Sequence, residues 1–190
     1  MHYLTRQRLH LSRFHPLMRT LLSLYVVSVL AAMWVATLKY TDRADWSAEG
    51  ARLYIQGDAA AAGDPFGDPF AGTPDGASEH PGMSRRQIID VVHPHLFTVP
   101  IVLFILGHLL HLTRLPDVLK ALLNVSVFAA ALGTFLLPLA VRERGGVAPA
   151  LVGCGSLMVG GVVLQCLILL YETWFGRPGR GFDALPRQGP

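Results

Sequence analysis

The chain has 190 residues, of which 52% are hydrophobic and 15% charged, with a formal net charge of +3. Charge this sparse is well under the roughly 25% of an average soluble domain and argues for a membrane protein. The positive balance does not point to nucleic acid, because the basic residues gather at the ends of long apolar runs, where they set topology.

Residues 1–16 form a basic stub, with Arg6, Arg8 and Arg13 among Tyr3, Leu4, Leu9, Leu11 and Phe14. It suits a segment lying on anionic headgroups, or a plain topogenic stretch. Four apolar runs follow at 17–38, 91–112, 118–141 and 147–171, each near the ~20 residues a helix needs to cross a bilayer. The first is too long for a signal peptide, and Lys39-Tyr40-Thr41-Asp42 after it offer no small-residue cleavage site. It reads as a retained span.

The connection 39–90 is expected on the outer side. Its first part predicts a short interfacial helix, capped by Ser47 or Asp45 and ended by Gly57, with Trp46, Leu53 and Tyr54 on one side. Residues 59–82 are rich in Ala, Gly, Pro and Asp around the repeat Asp64-Pro-Phe-Gly-Asp68-Pro-Phe70, which predicts an irregular loop. Its two phenylalanines are candidate contacts for a neighbouring subunit. Ser84-Arg-Arg-Gln87 is a capping box and predicts a helix running straight into the second span. Pro94 and Pro100 are expected to bend that helix.

A turn at 113–117 joins spans two and three, and Arg142-Glu-Arg-Gly145-Gly146 joins three and four. The predicted fold is an all-α, four-span, up-down helix bundle with an outer loop of about 50 residues carrying a short interfacial helix. Counting charge, Arg6, Arg8, Arg13, Arg19, Arg114, Lys120, Arg177, Arg180 and Arg187 fall on one side. Lys39, Arg43, Arg52, Arg85, Arg86, Arg142 and Arg144 fall on the other, where the loop also carries nine acidic residues. Both termini, including the tail 172–190, are therefore expected in the cytoplasm.

Span four offers two further features. Ser156 and Gly160 make a small-xxx-small pair for close helix approach, either within the bundle or to a second protein. Cys154 and Cys166 lie ~18 Å apart on one helix at 1.5 Å per residue, so they cannot pair with each other.

The densest chemistry lies in span two, which holds His93, His95, His108 and His111. Imidazoles are costly in hydrocarbon unless they pair, bind a metal or meet water. At about 100° per residue, Asp90, His93, His108 and His111 share one stripe with Phe97, Pro100, Phe104 and Gly107, while His95 lies about 200° away. That stripe is expected to face the bundle interior, with Gly107 making room beside His108.

Three readings follow. The first is haem b, held by neutral imidazole. One helix with histidines near both membrane faces resembles the ligand-bearing helices of membrane cytochromes b. Since spans one, three and four carry no histidine, an inner haem would pair His108 or His111 with His15. An outer haem would pair His93 or His95 with Met33, Met158 or His80; another subunit is the remaining source. Asp90 would orient His93 from one turn away. The second reading is an outer copper or zinc site of His80, Met83, His93 and His95. The third is structural, with interfacial His93, His95 and His111 and an interior partner for His108, such as Asn124.

The residues His93-x-His95-Leu-Phe and Gly107-His108-x-x-x-Leu112-Thr113, with the Trp46–Asp58 segment, resemble an uncharacterised family of bacterial four-span inner-membrane proteins. The resemblance implies the bacterial inner membrane and no established activity. No phosphate loop, nucleophile elbow or paired-carboxylate site is present in the sequence, so no hydrolase or transferase chemistry is expected. The expectation for function is a non-enzymatic membrane subunit of a respiratory or photosynthetic electron-transfer complex. Its partners would sit on the Ser156/Gly160 face and on the loop from Asp64 to Phe70.

Overall fold

The computed structural model describes residues 11, 14–57 and 82–176. His80, the loop from Asp64 to Phe70, the tail beyond Gly176 and most of the basic stub lie outside the described residues. The described residues are helical throughout, with no strand: α1 (Pro16–Ala44), α2 (Ala48–Gln56), α3 (Arg85–His111), α4 (Asp117–Glu143) and α5 (Ala148–Phe175). Four of these helices are long and apolar enough to cross a membrane. The fold is thus the four-span all-helical bundle with a short helix in the long connection.

Local chemistry sets the boundaries. Pro16 opens α1, where its missing N–H costs nothing, and the His15 ring caps it by accepting from the Leu17 amide at 3.4 Å. Asp45 and Trp46 end α1, both with positive φ (49° and 46°). Asp tolerates the left-handed region, but tryptophan does so only when held. Here the Trp46 indole N–H donates to Thr41 Oγ1 at 2.8 Å, and its ring lies 4.8 Å from that of Tyr40. Trp46 therefore belongs to the α1–α2 turn rather than to the side of α2 expected for it. Ser47, not Asp45, caps α2, accepting from the Gly50 amide.

The capping box at α3 is complete: Gln87 N–H donates to Ser84 Oγ and Ser84 N–H donates to Gln87 Oε1. α3 runs unbroken through Pro94 and Pro100, and nearby side chains bond back to its carbonyls. Thr98 Oγ1 donates to the Pro94 carbonyl at 3.0 Å, and His95 Nδ1 sits 2.6 Å from that of Val91.

The α4–α5 seam is the closest in the bundle. At Gly161 a Cβ would collide with Val127 Cγ2, and at Gly133 it would press on Cys154 Sγ. So the glycines that admit a neighbouring helix are Gly161 and Gly133. Ser156 and Gly160 are exposed, with nothing within 4 Å of a Cβ at Gly160. α3 packs on α4, and α1 packs on α5. α2 folds over the loop end of the bundle, where Ala44, Ala51, Ile55, Ile88, Val92, Val141, Ala148 and Leu151 bury one another. Gln56 Nε2 donates to the Val141 carbonyl at 2.8 Å, Met83 N–H to Ile55 O at 2.9 Å, and Arg142 to the Met83 carbonyl.

At the opposite, hairpin end, Lys120 is only 2% exposed. Its ammonium donates to the His111 carbonyl at 3.2 Å and approaches Asp117 Oδ1 at 3.4 Å, tying the end of α3 to the start of α4. A buried cation at a helix C-terminus also meets the negative end of its dipole.

Candidate functional site

The buried residues of α3 are Ile88, Val92, Leu103, Leu106, Gly107 and Leu110. That sector is centred roughly 100° around the helix from His93, counting about 100° per residue. The histidine stripe therefore points away from the bundle, which corrects its expected inward orientation. Phe97 and Phe104 are 64% and 63% exposed. His93, His108, His111 and Asp90 are exposed as well. The His93 ring rests edge-on against Phe97 at 5.3 Å, and the His108 ring lies 5.5 Å from Phe104. Asp90 makes no hydrogen bond to His93 among the described residues. His15 is occupied as the cap of α1.

Gly107 is the one member of that set turned inward, and the space it leaves is filled by protein. A Cβ there would lie 3.0 Å from Asn124 Oδ1. Asn124 in turn accepts from Gln165 Nε2 at 3.0 Å. The partner of Asn124 is thus Gln165 on α5, not His108. Gln165 is 1% exposed, and its Oε1 has no partner among the described residues. Sequence reasoning passed over Gln165, although an amide alone in the middle of a 28-residue apolar helix is visible by inspection.

The proposed copper or zinc quartet is not brought together among the described residues. His93 and His95 leave α3 on different sides, Met83 packs into the loop-end cluster, and no three His, Cys, Asp or Glu groups converge.

His95 is the histidine that meets the interior. Its ring lies 5.4 Å from Phe135 of α4 and lines a cavity of about 530 Å³. Tyr25, Met33 and Tyr40 of α1, Val102 of α3, and Gly155 and Met158 of α5 line it too, with Trp46 at the loop end. The exposed lining residues are Ser28, Ala32 and Ala36 on α1 and His95 on α3. The mouth is therefore the slot between α1 and α3, which opens sideways toward hydrocarbon. The two helices are bridged at its deep end by Tyr25 Oη, 3.4 Å from the Val102 carbonyl.

Among the described residues, no Lys, Arg, Asp or Glu lines this space. The polar groups are few and specific. A carbonyl only accepts, so His95 Nδ1 carries the proton that bonds Val91 O. In the neutral imidazole this tautomer leaves Nε2 with a bare lone pair, as in a metal ligand or a hydrogen-bond acceptor. The Tyr40 hydroxyl is buried without a partner among the described residues. Leaving such a group unpaired costs about 1–3 kcal/mol, which a ligand oxygen would relieve. Of the outer haem pairings drawn from the sequence, His95 with Met33 or Met158 is the one whose side chains share a cavity.

No curated protein and no solved structure shows significant similarity to the chain. Residues 66–180, which take in α3, α4 and α5, match a family described as a transmembrane helical domain, and the chain belongs to that family.

Proposed function

We propose that the chain is an integral membrane subunit of a bacterial electron-transfer complex, contributing the His95 cavity to its work. It sits in the inner membrane with both termini cytoplasmic. The observation that carries this reading is the cavity itself: an apolar space of about 530 Å³, open sideways to lipid, with one imidazole in its lining whose Nδ1 is tied to the Val91 carbonyl. That volume falls within the roughly 300–1,000 Å³ of small-ligand sites, which are mostly apolar with a few placed polar groups.

Haem b in this cavity would take His95 Nε2 and a thioether from Met33 or Met158. Against it stands the lining, which offers no cation to the two haem carboxylates. The outward histidine stripe favours the second reading, a cofactor-free subunit covered by a neighbour. Three imidazoles facing lipid are expensive, and a partner helix would relieve them.

The test is isolation from native membranes in mild detergent, followed by a reduced-minus-oxidised spectrum. Migration with a redox-active partner supports the electron-transfer reading. A haem band lost in His95→Ala but kept in His108→Ala would assign the ligand. A stable 20.7 kDa monomer with neither partner nor cofactor would overturn the reading.

A further inference from the structure

We infer that the cavity between α1 and α3 binds a lipophilic quinol, with its ring between His95 and Tyr40 and its tail running toward Tyr25. This rests on the reading of the same cavity as the working site. The slot faces hydrocarbon, so its ligand arrives from the bilayer. The absence of any charged lining residue among the described residues selects a neutral head over a phospholipid, a fatty acid or haem with its carboxylates.

Length fits a chain-like ligand: Tyr25 and Tyr40 lie fifteen residues apart on α1, or roughly 22 Å along the axis. The two polar positions are of complementary kind. His95 Nε2 accepts, as a hydroxylic head requires, and the unpartnered Tyr40 hydroxyl can donate. Counted from the helix ends at the loop side, they are roughly 9 Å apart along the axis. A ring with an oxygen at each end bridges such a span with one hydrogen bond to each side chain. Flat neighbours complete the site, with Phe135 beside His95 and Trp46 beside Tyr40.

Trp46 makes the test direct. The full chain carrying Trp34→Phe and Trp174→Phe, reconstituted in nanodiscs, leaves Trp46 as the sole indole. It is titrated with a short-chain ubiquinol analogue, and again with the oxidised quinone. Saturable quenching is expected. His95→Leu should weaken quinol binding at least tenfold, and Tyr40→Phe about threefold. Gly155→Leu should abolish binding, because a Cβ at Gly155 meets nothing nearer than Trp46 at 3.8 Å and a longer side chain enters the cavity. His108→Leu, outside the cavity, should change nothing. Ala32→Leu blocks the mouth from α1 if Gly155→Leu does not fold.

Linear quenching, equal in wild type and the blocking variants, would mean partition into lipid and would overturn the inference. A chain that migrates with a redox partner yet binds no quinol overturns this inference and leaves the electron-transfer reading standing. Saturable, His95-dependent binding with no redox partner does the reverse.

Discussion

Substituting Gly161 by alanine tests the seam on which the cavity depends, since the neighbouring Val162 lines it. The added Cβ would overlap Val127 Cγ2 and sit 3.6 Å from its Cβ. Val127 is 1% exposed and cannot swing into open space. Overpacking of this kind costs about 1–3 kcal/mol. Alanine regains about 0.5–1 kcal/mol over glycine inside a helix. The net is about 0–2.5 kcal/mol of destabilisation, or up to roughly 10 °C in Tm at about 2–4 °C per kcal/mol for a chain of this size. Thermal unfolding followed by circular dichroism in one detergent reads it. Val127→Ala placed on top of Gly161→Ala removes the colliding methyl and should recover most of the loss. Gly161→Ala that leaves Tm unchanged or raises it, with Val127→Ala costing the same in both backgrounds, would refute the close approach of α4 and α5.

Asn124→Leu should destabilise more than Gln165→Leu, because it strands an amide whose Oε1 already lacks a partner; unfolding in detergent compares them. The coupling in the double-mutant cycle should be about 0.6 kcal/mol and no more than about 1.7 kcal/mol. His93→Leu, His108→Leu and His111→Leu should each leave the isolated chain's stability within about 0.5 kcal/mol, while weakening retention of partners on native gels. Glu49, outside the spans, has its carboxyl held below the ordinary range by the hydrogen bond from Arg52, with their charge attraction assisting. Its contribution is present above the ordinary carboxylate value and is lost as pH falls through the lowered one. Protection of the α2 amides, taken relative to the intrinsic exchange rate at each pH, should therefore fall on the acid side, and Glu49→Gln should flatten that dependence.

What could be read from the sequence was what water and backbone geometry dictate. Four spans follow from the length of the apolar runs, since an unpaired backbone has no place in hydrocarbon. Ser47 and the Ser84/Gln87 box were visible because capping depends on local residues alone. Trp46 was misplaced because its turn uses a positive φ that no local rule assigns to tryptophan. Lys120 read as a topogenic charge. Its burial depends on the α3 terminus arriving beside it, a tertiary fact.

The orientation of α3 was the larger miss, and its cause is general to membranes. A helical wheel correctly groups His93, His108 and His111, but it supplies a phase and no sign. In water the apolar face turns inward; in a bilayer both the interior and the lipid are apolar, so hydrophobicity loses its direction. Small residues carry the sign instead. Gly107 sits where α3 meets Asn124, and Gly161 where α5 meets α4. Leu103, Leu110 and Leu106, about 40°, 60° and 100° to one side of Gly107, are buried, while His108, about 100° to its other side, is exposed. The same rotation brings His95, about 200° from His93, to the cavity mouth. The lone histidine excluded from the stripe thus lines the cavity beside Phe135 of α4, and the stripe is left for a neighbour. On that geometry the two halves of α3 chemistry separate cleanly: losing His95 should affect a ligand, and losing His93, His108 or His111 should affect an assembly.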